Sequence, residues 1–220
     1  MHPNIKKFFC TENSILIDIF SECIYPCEAI PKIKEFIAKA SCRLNLKLFD
    51  NPSEGVYIAK SAKVAQSACI CPPCIIDENA EVRHCAYIRG GVVVGKNCVV
   101  GNSTELKNVI LFDCVQVPHY NYVGDSILGY KAHMGAASIT SNVKLDRKDI
   151  YTDYGQGKFC SNLKKLGAII GDNVEIGCGS VLNPGCVIGC GCTVYPLSSV
   201  RGYVSENSIY KTENSIIHKR

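Results

Sequence analysis

No window of this 220-residue chain reaches the roughly 18 uncharged apolar residues that a membrane-spanning helix needs. A secretory signal is equally missing: Met1-His2-Pro3-Asn4 leads into a short, interrupted apolar stretch rather than a charged start with a long apolar segment. Charge of one sign never accumulates. The net charge of +4 comes from 24 basic and 20 acidic residues that are interspersed, which argues against nucleic acid as the main partner. Neither a phosphate-binding P-loop nor a dinucleotide fingerprint occurs. The expectation from these absences is a cytoplasmic protein that binds neither membrane nor nucleic acid. Cysteine, by contrast, is abundant at fifteen. A disulfide scaffold is the usual reading of such a count, but those chains are short and lack a large core. Cys74, Cys98, Cys186 and Cys192 instead recur at one fixed place in a repeat, where a small, readily buried side chain is wanted. Cys71-Pro72-Pro73-Cys74 has no second pair at zinc-finger spacing, so no metal site is read from it.

The repeat itself has a period of six. Aliphatic residues return at Ile58, Val64, Ile70, Ile76, Val82, Ile88, Val94, Val100 and Leu106. After a slip of one the count resumes at Leu111, Val117 and Val123, and after another at Leu128 and Met134. It returns at Ile170, Ile176, Leu182, Ile188, Val194 and Val200. Six fits neither an α-helix nor a heptad, and it marks a parallel β-helix of hexapeptide repeats. Each hexad supplies a short strand and a turn, and three hexads close a triangular coil whose aliphatics stack into a linear core. The expected fold is therefore mainly β, a left-handed parallel β-helix over residues 56–206.

Two segments lack the period. Residues 1–55 read as a small α-rich cap over the first coil, with a helix from Pro26 to Ala40 that puts Ile30, Ile33, Phe36, Ile37 and Ala40 on one face. The 14–25 stretch upstream is apolar and fits helix or strand equally. Between about 140 and 169 a charged insertion carries Lys144, Asp146, Arg147, Lys148 and a Gly155-Gln156-Gly157 hinge, and loops of that length are usually functional. Residues 207–220 are expected to form a C-terminal tail.

His119 stands out chemically. It lies on a turn, in Val117-Pro118-His119-Tyr120-Asn121-Tyr122-Val123-Gly124-Asp125, away from the inward aliphatic positions. An imidazole titrates near neutral pH and is the commonest general base. His84, His119 and His133 are spaced by 35 and 14 residues, which does not match whole coils of 18, so they do not suggest a three-histidine zinc site.

The runs Val100-Gly101-Asn102-Ser103-Thr104-Glu105-Leu106-Lys107-Asn108, His119 to Asp125, and Gly135-Ala136-Ala137-Ser138-Ile139-Thr140-Ser141-Asn142 carry a resemblance. They resemble the acetyltransferase half of the bifunctional N-acetylglucosamine-1-phosphate uridylyltransferase. They are still more similar to the archaeal sugar-1-phosphate nucleotidylyltransferases that carry an acetyltransferase β-helix, which share the Lys164–Ala168 stretch. The similarity covers roughly residues 56–205. It implies an acyl-CoA-dependent N-acetyltransferase acting on an amino-sugar 1-phosphate, with acetyl-CoA as co-substrate and no metal requirement. By position, His119 corresponds to the catalytic base, and Arg89 and Lys107 to the clamp on the sugar phosphate. Glu105, Tyr122 and Asn142 correspond to sugar contacts, and Lys148 to a basic residue from a partner-facing loop. His133 stands where the bifunctional enzyme has an Asn that helps hold substrate. The resemblance further implies a homotrimer with sites between subunits. Nothing in residues 1–55 matches the nucleotidylyltransferase loop, so the chain reads as a detached acyltransferase half. The alternative is a non-catalytic sugar-phosphate or nucleotide-sugar binding subunit that assembles with a separate nucleotidylyltransferase chain.

Overall fold

The computed structural model describes residues 1–9 and 15–219. Short parallel strands stack coil on coil into a three-faced prism. On the first face lie Cys69–Ile70, Tyr87–Ile88, the start of Glu105–Leu111, the start of Tyr122–Leu128, Ile139–Thr140, Val181–Leu182 and Ser199–Val200. The second face runs from Val56–Ala59 through Cys74–Ile76, Val92–Val94, the ends of the two long strands, Ala168–Ile170 and Cys186–Ile188 to Tyr203–Val204. The third face runs from Lys63–Val64 through Val99–Asn102, Gln116–His119 and His133–Met134 to Ser208–Thr212.

All twenty hexad aliphatics point into this prism, seventeen of them fully buried and Ile58, Val64 and Ile70 at the first coil partly so. Cys74, Cys98, Cys186 and Cys192 pack beside them. Cys71 is half-exposed while Cys74 is fully buried, so the two thiols of Cys-Pro-Pro-Cys lie in different surroundings. Burial pushes the thiols of Cys74 and Cys98 far up and that of Cys186 up to about 12, which leaves them as inert apolar filling.

The slips in the count have a physical cause at one edge of the prism. Between the first and second faces, one coil turns through Gly90 and Gly91, both at positive φ. The next two coils drop one residue there and turn on Asn108 and Asp125, left-handed at φ 54° and 47°. Glu105–Leu111 and Tyr122–Leu128 consequently run as single strands across that edge. The coil after them opens at the same edge into the insertion. Thr140 takes the inward place of an aliphatic there, pairs with Leu182, and so hides the period from the sequence.

The cap does not sit over the end of the coils as expected; it lies lengthwise along the second face. Outward-pointing Ile75, Val93, Ile110, Ile127, Ile169 and Val187 form an aliphatic ladder down that face. Onto it pack Phe8, Phe9, Phe20, Ile30, Ile33 and Ile37. Phe9, Phe20 and Phe112 stack in near-parallel planes, with centroids 5.2 Å apart for Phe9 and Phe112. The chain start is pinned by the Asp172 N–H, which donates to the Phe8 carbonyl at 3.0 Å. What covers the open edge of the first coil is Phe49–Ser53, antiparallel to Val56–Ala59. The expected helix divides in two, a 3-10 segment Pro26–Lys32 and an α-helix Ile33–Ser41, because Pro31 can donate no N–H to an α-helical turn. Upstream, Ile15–Phe20 is also 3-10, and residue 14 lies outside the described residues.

The insertion folds back as a hairpin, Tyr151–Asp153 with Lys158–Cys160, and completes the same lateral core through Ile150, Tyr154 and Leu166. The Tyr154 hydroxyl accepts from the Cys27 N–H at 3.1 Å. Its middle is thus structural, contrary to the functional role expected of so long a loop, while residues 145–148 stand exposed. The expected C-terminal tail is ordered as well: Ser208–Thr212 adds one more strand to the third face, and Ser215–His218 folds back antiparallel on it.

Candidate active site

Strand register decides which side chains meet. Residues 87, 105, 122 and 139 lie opposite one another in successive coils, and so do 88, 106, 123 and 140. Side chains alternate between inside and outside along a strand. Arg89, Glu105, Lys107 and Tyr122 therefore share one outer surface across three coils about 4.8 Å apart, and Asn142, just past the strand of the fourth coil, joins it through hydrogen bonds to Tyr122 and Asp125.

There they form two bonded polar groups, Arg89 with Glu105, and Lys107, Tyr122 and Asn142 around Asp125. Arg89 Nη1 donates to Glu105 Oε1 at 2.8 Å, and that carboxylate holds the guanidinium further toward its charged form. Lys107 Nζ lies 3.6 Å from Asp125 Oδ2. Asp125 is only 5% exposed, and its other oxygen accepts from Asn108 Nδ2 at 3.0 Å. Asn142 Nδ2 donates both to Asp125 Oδ2 and to the Tyr122 hydroxyl, the latter at 3.2 Å. An ionised carboxylate only accepts, so Asp125 fixes the Asn142 amide with its NH2 inward and leaves Oδ1 facing out. Burial, and then the Asp125 charge, push the Tyr122 hydroxyl above its ordinary value. That phenol keeps its proton, accepts from Asn142, and has its own O–H to donate. Gly124 makes the arrangement possible, because a Cβ there would fall 2.6 Å from the Tyr122 hydroxyl oxygen.

His119 stands at the edge between the third and first faces, three residues before Tyr122. It is exposed, and its imidazole has no hydrogen-bond or ion-pair partner among the described residues. Tyr120, next along the same turn, is 64% exposed at φ 51°. His84 lies two coils away on this edge, with Nδ1 2.7 Å from Ser67 Oγ.

Two of the expected site residues stand apart within one chain. His133 lies on the third face, opposite Gln116, with Nδ1 2.8 Å from Glu175 Oε2. Lys148 is exposed on the insertion, where its backbone N–H donates to Asp146 Oδ1 at 3.1 Å. Conversely, Asp125 and Asn108 hold the Lys107–Tyr122–Asn142 group together, and Asn121 holds the turn that carries His119, without having been singled out from the sequence. The slips in the hexad count fall on the first two, and that signal was available. Among the described residues, no three His, Cys, Asp or Glu side chains converge as a metal site.

The geometry can now be set beside known proteins. The family model described as the GMPPB C-terminal domain matches residues 70–151. The Bifunctional protein GlmU of Methanococcus maripaludis is 37% identical over 136 residues, 61% of this chain and 33% of that protein. Its counterpart in Methanocaldococcus jannaschii is 35% identical over 135 residues, again 61% and 33%. The bifunctional sugar-1-phosphate nucleotidylyltransferase/acetyltransferase of Sulfurisphaera tokodaii is 29% identical over 126 residues, 57% of this chain and 31% of that protein. The chain thus spans about a third of the length of these curated relatives. In repeat and motif, and over about 60% of its length, the chain is similar to the bifunctional GlmU proteins and the sugar-1-phosphate nucleotidylyltransferase/acetyltransferase.

Proposed function

We propose that this protein transfers an acetyl group from acetyl-CoA to the amine of an amino-sugar 1-phosphate, with glucosamine 1-phosphate as the reference acceptor. The observation that carries the reading is the convergence of Arg89, Glu105, Lys107, Tyr122 and Asn142 beside an unpartnered, exposed imidazole. Arg89 and Lys107 supply the donors that a phosphate group takes. Glu105, the Tyr122 O–H and the outward Oδ1 of Asn142 offer acceptors and a donor to sugar hydroxyls. His119 removes a proton from the acceptor amine as its nitrogen attacks the thioester carbonyl. The tetrahedral intermediate then collapses to the amide as its C–S bond breaks, and CoA leaves as its thiol with the proton that His119 took up. Backbone N–H groups steady the oxyanion on the way.

His133 and Lys148, apart from the cluster in one chain, act in this reading from a neighbouring subunit of a homotrimer. A non-catalytic sugar-phosphate binding subunit is the second reading. It is favoured by the His119 imidazole, which has no hydrogen-bond partner among the described residues to orient it as a base. Isothermal titration with acetyl-CoA, alone and with glucosamine 1-phosphate, separates the two. Saturable acetyl-CoA binding is expected of the transferase, and sugar-phosphate binding without any CoA affinity would leave only the second reading standing.

A further inference from the structure

Both backbone groups of His119 are committed, one of them to a side chain. Its carbonyl accepts from the Ala137 N–H at 3.0 Å. Its N–H donates to Asn121 Oδ1 at 3.1 Å. Asn121 is only 2% exposed, and its Nδ2 crosses to the following coil, donating to the Gly135 carbonyl at 2.9 Å, the Ser138 carbonyl at 3.1 Å and Ser138 Oγ at 3.2 Å. From below, Thr104 Oγ1 accepts the Asn121 N–H at 3.4 Å while donating to the Val117 carbonyl. One buried amide thus ties the His119 turn to the next coil.

Only one common side chain of this size meets both demands. The His119 N–H needs an acceptor, and the carbonyls of Gly135 and Ser138 need a donor. Aspartate would set a carboxylate against two carbonyl oxygens, and leucine would orphan every partner. Tyr120 sits in the left-handed region at φ 51°, as Ser103 and Ala137 do at the same turn of the neighbouring coils, so what sets this turn apart is the buried Asn121 amide.

We propose that Asn121 is a positioning residue for His119, fixing the backbone from which the imidazole projects over the Tyr122–Asn142 surface. This rests on the reading of His119 as the base. Asn121 is buried and touches no reacting atom; it acts through the turn. A displacement of the imidazole by about an ångström is enough to slow proton transfer by roughly 10- to 100-fold.

The test uses the whole chain with acetyl-CoA and glucosamine 1-phosphate, comparing wild type, His119→Ala, Asn121→Ala and Ser138→Ala. Asn121→Ala is expected to lower kcat by about 10-fold or more, with both KM values within about twofold and acetyl-CoA stoichiometry unchanged. A general loss of folded protein would lower stoichiometry and kcat together. Ser138→Ala removes one of three anchors and should lower kcat by about two- to fivefold, which keeps the test alive if Asn121→Ala does not fold. Independently of turnover, amide hydrogen exchange at His119 should quicken at least tenfold in Asn121→Ala. Unchanged kcat in both variants, or unchanged His119 exchange, overturns the positioning role. Full turnover by His119→Ala refutes the base itself, a failure distinct from the first.

Discussion

Asp125 is the group on which the polar surface turns, and replacing it with alanine gives the most direct structural test. The substitution removes the acceptor of Asn108 and Asn142 and the counter-charge of Lys107. Hydrogen bonds to a charged acceptor contribute about 1.5–3 kcal/mol each. Two such bonds set a gross loss of about 3–6 kcal/mol. Part is recovered, because Asn108 retains the Ile30 carbonyl at 3.3 Å and Asn142 retains the Tyr122 hydroxyl. Lys107, whose side chain is 27% exposed, turns to water, so its 3.6 Å ion pair adds under about 1 kcal/mol. A net destabilisation of about 2–4 kcal/mol follows, equivalent for a chain of this size to a fall in Tm of roughly 5–15 °C. The catalytic effect has two parts of opposite sign. A freed Lys107 tightens phosphate binding, while an Asn142 amide no longer held in one orientation loosens the sugar. Glucosamine 1-phosphate should therefore still bind in Asp125→Ala, with kcat reduced by about tenfold. Denaturant unfolding and calorimetry read the two quantities separately. A loss of stability below about 1 kcal/mol, with kcat unchanged, would show that Asp125 organises nothing.

Other consequences reach the rest of the molecule. Phe112→Ala removes the β-helix ring from the Phe9–Phe20–Phe112 stack and should cost about 3–5 kcal/mol in urea unfolding, with proteolysis released in the cap; a near-neutral result would mean that the cap does not dock along the second face. Burial raises the Asp77 carboxyl above its ordinary 3.8, so the folded chain holds that proton more tightly than the unfolded one. Stability is then greatest below that value and declines as pH rises through the folded pKa. Asp77→Asn should accordingly stabilise the protein at pH 7 and lose its advantage below about pH 4, and an advantage that persists at pH 3 would contradict the assignment. Under native conditions an alkylating reagent should modify exposed Cys42, Cys69, Cys85 and Cys178 quickly, and leave Cys74, Cys98 and Cys186 untouched until unfolding. Labelling of Cys98 at the rate of Cys85, mapped by mass spectrometry, would place it outside the core.

Much of this was legible in the chain itself. The hexad aliphatics are what a stacked coil must bury, so Ile58 through Val200 identified the inner core residue by residue. The lateral core was less visible, though its signal existed. At every third hexad the apolar residue is preceded by another, as in Ile75-Ile76, Val93-Val94, Ile110-Leu111, Ile127-Leu128, Ile169-Ile170 and Val187-Ile188. Strands apolar on both sides are covered on both sides, and that second cover is the cap and the insertion. Periodicity alone could not place the cap, because docking on the outer ladder depends on residues more than a hundred positions apart, such as Phe8 and Asp172. The charge and length of the insertion suggested a functional loop, while Ile150, Tyr154 and Leu166 within it were the residues that decided its course. At the candidate site, the groups that offer themselves to a ligand were found by resemblance. Those that only hold them, Asp125 and Asn121, needed the register of neighbouring coils before their partners appeared.

The central claim is acetyl transfer with His119 as base, and one assay addresses it: thiol release from acetyl-CoA, followed with glucosamine 1-phosphate present and absent, in wild type and His119→Ala. The account predicts release that requires the sugar phosphate and falls at least 100-fold in the variant, the loss ordinarily seen when a general base is removed. Equal release by both proteins, or none by the wild type while it binds the sugar phosphate, would contradict it.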